Sequence, residues 1–399
     1  MTMNSNDGEW ERILQSKLSE RRKQGLLRER RTVTPVSATE IEINGVRLVN
    51  FGSNDYLSLT WNPELVGAAK TAMEQWPTGA GASALVTGRG PWMSDLEATI
   101  ADFEKTDDAI VFGSGFAANA GTISALANQD DVIFSDALNH ASLIDGCRLS
   151  RCKIHIYRHS DMTDLEQLIR RHRSEGRQAF IVSDSVFSME GDIAPLKEIA
   201  TIARRYHAQI ILDEAHATGV LGSEGRGLTE HFDVDELVDV RIGTLSKAVG
   251  SIGGFVAGRE VLINFLVNQA RSYIYSTAMP PISAAVACAA LKLIPHLKPE
   301  RGRLLVLSNY CRRRMTETDW KTPQGVTPII PIVVGDAETV VRLSQALFEQ
   351  GIFAPCIRPP TVPKNQSMLR ISLTVSHTVE QVDQLVSQLQ RIRTSLGNE

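Results

Sequence analysis

Short apolar runs recur through the first two thirds of the chain, each closed by polar or glycine-rich residues. Residues 109–112, 132–134, 180–182 and 210–212 are such runs, and 154–157, interrupted by His155, is a further predicted strand. Short unbroken apolar runs predict strands buried on both faces, as in a parallel sheet. Between them, 164–173 and 196–205 place apolar residues at helical spacing among charges. That alternation predicts a parallel, doubly wound α/β sheet. Residues 40–49 instead alternate polar and apolar about Asn44-Gly45, a hairpin signal. Trp10, Ile13, Leu14 and Leu18 recur at helical spacing near the start. Residues 93–103 predict another helix, and Pro280-Pro281 predicts the start of a long one. At 297–303 the chain turns charged, and a domain boundary is expected there. A strand over 329–334 and helices over 338–349 and 379–396 follow. The expected organisation is an N-terminal helix and hairpin segment (1–55), a large domain (56–297) and a smaller C-terminal α+β domain (298–399).

Composition narrows the classes of function. The 399 residues are 43% hydrophobic and 22% charged, enough for one large and one smaller domain. A net charge of −4 gives no bulk electrostatic case for nucleic acid or an anionic membrane. The N-terminal residues are polar and lack an apolar signal core, and the best apolar run, 284–291, is Ala-rich and stopped by Lys292. Five cysteines, an odd number without a CxxC pair, fit small core thiols in a reducing cytoplasm. No metal is expected from them.

The candidate chemistry sits at 208–254. Ile210, Ile211 and Leu212 end in Asp213, which puts a carboxylate at the C-terminal end of a buried strand, where open α/β sheets bind ligands. His216 follows three residues later. Thr244, Ser246 and Lys247 then precede Gly250, Gly253 and Gly254. Pyridoxal phosphate (PLP) explains the set. It needs a lysine amine for a Schiff base and a carboxylate opposite its pyridine nitrogen, and hydroxyls beside the lysine can take its phosphate. Upstream, an apolar strand runs into Gly113-Ser114-Gly115 and a small-residue helix, which predicts a phosphate cradle of backbone N–H groups.

DEAHATGVLGSEGRG followed by TLSKAVGSIGG resembles the α-oxoamine synthases, and the resemblance covers residues 26–390. It implies an α/β PLP-dependent transferase fold of the aspartate-aminotransferase type, with a large parallel-sheet cofactor domain and a smaller C-terminal domain. It also implies a homodimer with shared active sites. Lys247, Asp213 and His216 match the catalytic residues, together with His140, whose ring stacks on the pyridine. Gly115, Phe116, Ser188 and Thr244 match further cofactor contacts. Ser276 and Thr277 resemble the hydroxyl pair that reaches the neighbouring subunit's cofactor, and can also cap a helix. The glycine-rich stretch 78–90 matches a segment packed at the dimer interface. Asp184 has no catalytic role assigned to it.

The family condenses an amino acid with an acyl thioester and releases carbon dioxide. IRPPTVP (357–363) resembles the branch that joins L-alanine to a pimeloyl thioester, carried on coenzyme A or acyl-carrier protein. On that resemblance Arg370 meets the amino-acid carboxylate, while Asn54, His140 and Thr361 contact substrate. Arg28 reaches the acyl chain, with Arg30 and Arg31 as close competitors. Asn365 stands where these synthases often have glycine. It tolerates positive φ better than most residues, yet it leaves the acyl group open. The alternatives are a glycine-using 2-amino-3-ketobutyrate ligase, another acyl chain, transamination on the same fold, or a non-catalytic cofactor-binding module.

Overall fold

The computed structural model describes residues 5–396. Seven strands form its central sheet: β1 (Asp108–Phe112), β2 (Val132–Asp136), β3 (Lys153–Tyr157), β4 (Ala179–Asp184), β5 (Gln209–Asp213), β6 (Val240–Thr244) and β7 (Gly254–Gly258). Their spatial order is β1-β7-β6-β5-β4-β2-β3. Strands β2 to β6 pair in parallel, as the apolar runs predict. Ile210, Ile211 and Leu212 are buried, and each such side chain contributes about 1.5–3 kcal/mol when fully removed from water.

The parallel sheet has one departure. β7 runs antiparallel to both β1 and β6. Residues 245–253 are too few for a parallel crossover, which takes about a dozen or more residues. The chain therefore returns directly, and Gly254 pairs with Thr244. Lys247 lies in this tight return.

Helices cover the sheet. Gly115–Leu126 packs on Ala141–Ser150 and on β6 and β7, and Met162–His172 packs on Leu196–Tyr206 and on β2 and β3. The helix at Met162 starts where Asp161 accepts a hydrogen bond from the Asp164 N–H, an N-cap that meets one orphan donor. Pro281–Leu293 packs on the helices Pro63–Gln75 and Pro91–Glu104.

After the helix Lys298–Glu317, a second sheet places Ser367–Ser372 between Ile329–Gly335 and Cys356–Ile357, all antiparallel. The helix Ala337–Glu349 packs on it, and Val379–Leu396 packs on that helix and on Lys298–Glu317. The hairpin Glu40–Ile43/Val46–Asn50 turns at Asn44 and Gly45, whose φ values of 52° and 77° suit these two residues. Ile352–Phe353 then adds in parallel to Val46–Asn50, which ties the hairpin to the C-terminal part. The N-terminal helix, Ser5–Lys23, leaves Trp10, Ile13, Leu14 and Leu18 exposed on the protomer. Among the described residues, no helix is long and apolar enough to cross a membrane.

Candidate active site

Parallel strands end at one edge of the sheet, so the residues that close them meet there. Asp184 and Asp213 are register partners at the ends of β4 and β5, and Thr244 closes β6. Asp213 is buried, with Oδ2 accepting from Asn119 Nδ2 at 2.6 Å and Oδ1 from the Ala215 N–H at 2.8 Å. Asn119 Nδ2 also donates to Ser142 Oγ at 2.8 Å, and Ser142 Oγ lies 2.7 Å from His140 Nδ1. Asp213 and His140, called from separate motifs, thus share one hydrogen-bonded chain. The Asp184 carboxylate accepts from the His140 N–H at 2.6 Å and holds the start of that loop. Burial and the charge of Asp213 push Asp184 well above the ordinary carboxylate range.

His216 is buried, with Nδ1 2.7 Å from the Tyr56 hydroxyl. Burial drives its pKa well below the ordinary value, and the charges of Lys247, Arg370 and His140 act the same way. The ring is neutral at physiological pH. Tyr56 Oη also lies 3.2 Å from Asn54 Oδ1, and Arg370 Nη1 donates to the same Oδ1 at 3.1 Å. Arg370 donates in addition to Ser372 Oγ at 2.7 Å and, through Nε, to the Ser188 carbonyl. Its Nη2 has no hydrogen-bond partner among the described residues. A planar fork fixed on one side and free on the other suits a carboxylate.

Lys247 Nζ makes no hydrogen bond or ion pair with the described residues. Burial lowers its pKa to about 8; Asp213 and Asp184 oppose that shift and Arg370 adds to it. Beside it Thr244 Oγ1 lies 2.8 Å from Ser246 Oγ, and Thr244 donates to the Gly253 carbonyl at 2.9 Å. Gly254 lies flat against the start of the Gly115–Leu126 helix: a Cβ there would come within 2.6 Å of Gly115 Cα and of the Ser114 carbonyl. Ser114 Oγ caps this helix by accepting from the Ala117 N–H at 3.1 Å, which leaves the Gly115 and Phe116 N–H groups of the first turn open beside Thr244, with Phe116 exposed. These features fit PLP: an unpaired amine, a hydrogen-bonded buried carboxylate, and open N–H groups at a helix N-terminus next to hydroxyls.

Two further histidine contacts fix the loops around the site. His159 Nδ1 lies 2.9 Å from Asp136 Oδ1, and Nε2 2.9 Å from Asp192 Oδ2. Burial pulls its pKa down, but the hydrogen bonds to both carboxylates outweigh this and raise it to about 10.

Other residues expected at the site lie around its margin. Ser188 contributes its carbonyl to Arg370. Ser276 and Thr277 are exposed, and Thr277 is bridged to Ser83 in the glycine-rich segment. Arg28 is not at the end of the N-terminal helix, which stops at Lys23. It follows Gly25, at φ 66°, in an extended segment, and its Nη2 lies 3.5 Å from the Pro359 carbonyl. Arg358 donates back to the carbonyls of Gly25 and Leu27, so the segment lies on the IRPPTVP loop. Arg31 instead sits over the Phe348 ring at 5.9 Å. Thr361 is exposed in a turn closed by its N–H to the Arg358 carbonyl, after a cis bond between Pro359 and Pro360. Asn365 has φ 65°, the conformation glycine would favour.

Reading the sequence assigned no role to Tyr56, Asn119 or Ser142, although the resemblance placed the Asn54–Tyr56 stretch at the entry to the site. Asn119 had a usable signal: on the glycine-led helix it lies one turn after Gly115, on the same side. The contact of Tyr56 with His216 had none, because the two are distant in the chain.

Comparison with known proteins agrees with this geometry. Residues 46–389 match the family of class I and II aminotransferases. The chain is 43% identical over 374 residues to an 8-amino-7-oxononanoate synthase of Lysinibacillus sphaericus, covering 94% of this chain and 96% of that one. It is 43% identical over 383 residues to 8-amino-7-oxononanoate synthase 2 of Bacillus subtilis, covering 96% and 98%. Among solved structures, a serine palmitoyltransferase from S. paucimobilis with bound PLP–myriocin aldimine superposes with a TM-score of 0.92 at 29% identity, covering 97% of this chain and 98% of that one.

Proposed function

The chain belongs to the family of class I and II aminotransferases, and we propose from that premise how its own residues carry out the reaction. It is a PLP-dependent acyltransferase that condenses L-alanine with a pimeloyl thioester, with loss of carbon dioxide, to give 8-amino-7-oxononanoate for biotin biosynthesis. The observation that carries the residue assignments is the convergence of Lys247, Asp213, His216 and Arg370 at one sheet edge.

Lys247 would hold the cofactor covalently. Asp213 would face the pyridine nitrogen and keep it protonated, a task for which its two hydrogen-bond donors hold the carboxylate in place. His216 would bind the ring hydroxyl oxygen, and His140 would cover the ring face. Gly115, Phe116, Thr244 and Ser188 would complete the cradle, with Ser276 and Thr277 serving the site of a second copy. When bound, PLP supplies an electron sink for the pair left when a bond to the amino acid's α-carbon breaks. Arg370 would orient the alanine carboxylate through its free nitrogen, and Asn54 keeps that guanidinium aligned. The Lys247 amine, with a pKa near 8, is poised to take the α-proton and return it later. Arg28 and Thr361, brought together on the IRPPTVP loop, would meet the acyl chain. We also propose a homodimer with shared sites, a cytoplasmic location and a C-terminal domain that starts at residue 298. The acyl carrier, coenzyme A or carrier protein, belongs to the same proposal.

The test measures thiol release from pimeloyl-CoA, from an unsubstituted acyl-CoA of equal length and from acetyl-CoA, each with alanine, glycine and serine. Alanine with pimeloyl-CoA should give the highest kcat/KM. A pocket that accepts one methyl group discriminates by only about 1–3 kcal/mol, so alanine should exceed glycine by roughly 10–200-fold at most from that contact. Highest kcat/KM for glycine with acetyl-CoA would replace this reading with the ketobutyrate-ligase one. Lys247→Ala should abolish turnover, and borohydride should fix a pyridoxyl label on the Lys247 peptide of the unsubstituted protein.

A further inference from the structure

Three side chains that can bind a metal converge at the opposite edge of the sheet. His155 lies on β3, the edge strand. His172 ends the helix Met162–His172, and Glu175 lies in the turn that follows. His155 Nε2 is 3.2 Å from Glu175 Oε2, and His172 Nδ1 is 2.7 Å from Glu175 Oε1. The two imidazoles stack at 3.9 Å between centroids, 20° from parallel, and the other face of His155 lies on the buried Phe134 ring at 5.6 Å. One ligand atom from each residue falls within 4.8 Å of the other two. The two histidines are partly buried and Glu175 is exposed.

We propose that His155, His172 and Glu175 form a binding site for a divalent transition ion of the zinc class, with water in the fourth position. Two imidazoles and one carboxylate are a donor set that zinc takes. Bonds of about 2.0–2.2 Å in a tetrahedron put neighbouring ligand atoms about 3.3 Å apart. The His155–Glu175 separation already has that value within 0.1–0.2 Å, the His172 contact must lengthen by about 0.6 Å, and the stacked rings must splay so that both in-plane lone pairs meet at the ion. Without metal, both imidazoles contact the Glu175 carboxylate directly. With metal, the ion would take the place of those contacts. The imidazoles favour zinc, copper or nickel over magnesium or calcium, which prefer oxygen ligands.

The surroundings hold the ligands in place. Arg173 donates to the carbonyls of Gly176, Tyr206 and His207, which pins the turn that presents Glu175. Lys153 Nζ, 3.6 Å from Glu175 Oε2, is the local competitor for the ion, and its largely exposed side chain can swing away. Glu175 precedes β4, whereas Asp184 ends it, so the turn lies toward the end of the sheet away from Lys247. The site therefore joins edge strand to helix and takes no part in the chemistry. The cysteines gave no hint of it, because its ligands come from a strand and a helix end without a motif spacing.

The test uses the full-length, tag-free holoenzyme, freed of metal by chelation and desalting. Cobalt(II) is titrated while its visible d–d bands are followed, zinc is then used to displace it, and zinc binding is repeated by calorimetry. One equivalent should bind with tetrahedral-type bands, magnesium should not compete, and zinc should raise the Tm. His172→Ala and Glu175→Ala should each weaken zinc at least tenfold while keeping turnover. Lys153→Met should bind at least as tightly as the unsubstituted protein. Absence of saturable binding, or titrations unchanged in both alanine variants, would overturn the proposal. The second outcome would place the ion elsewhere, for example at the partly exposed Cys288 or Cys356.

Discussion

His159 shows how one side chain can fix two loops of the site. It bridges Asp136, which precedes the His140 loop, and Asp192, which follows Ser188. Its folded pKa, about 10, lies above the ordinary value of 6.5. A raised pKa means that the folded state binds the proton more tightly. The stabilisation is therefore complete below about pH 6.5 and is lost as pH rises through about 10. His159→Ala should remove that alkaline dependence and cost about 3 kcal/mol at neutral pH, because Asp136 stays buried without its cation. Urea unfolding of both proteins at pH 6 and pH 10 checks this: the gap should shrink at the higher pH. At this scale, legibility followed sequence distance. Asp213 and Lys247 stand in continuous motifs and could be named from them. His159 acts on partners carried by other elements, and nothing local marks it.

The β6–β7 return is where secondary structure sets the chemistry. A strand pair joined by a short link leaves Lys247 little freedom, and Gly254 lets β7 lie against the helix start at Gly115. In Gly254→Ala the new Cβ would meet backbone at 2.6 Å, which cannot yield as a flexible side chain would. The helix N-terminus must move. A displacement of about 1 Å in a positioning element can cost roughly 100-fold in rate. PLP affinity by absorbance titration and kcat should both fall, while far-ultraviolet circular dichroism stays near normal. Unchanged PLP affinity would remove this helix from the phosphate cradle. The glycines were visible in the sequence as a turn. The antiparallel direction of the strand after them could have been read from the short link, but the alternating strand–helix pattern upstream suggested more of the same.

On the whole molecule, an exposed apolar surface adjoins the site. Val86 is 74% exposed, Tyr275 71% and Phe116 48%, and the first two lie in the segments bridged by Ser83 and Thr277. A lone protomer with such a surface beside an open cofactor cradle fits the proposed homodimer. Val86→Arg should change protomer stability by no more than about 0.5 kcal/mol, because the side chain touches little within its own chain. It should yield monomers by light scattering and lose most activity. A fully active Val86→Arg monomer would refute shared sites.

The strand order also constrains synthesis. β1 has one neighbour in the sheet, β7, and β7 is the last of the seven strands to be made. On the ribosome, the first strand must wait with its edge unpaired until Gly258 has left the exit tunnel. The helix that follows β1 and the loop that carries Lys247 come together only then. A nascent chain can assemble β2 to β5 earlier, since each pairs with a neighbour already made, but it has no complete place for the cofactor. Cofactor capture is thus a late event in the life of the chain, and an unpaired apolar β1 is the segment most in need of protection from aggregation before it.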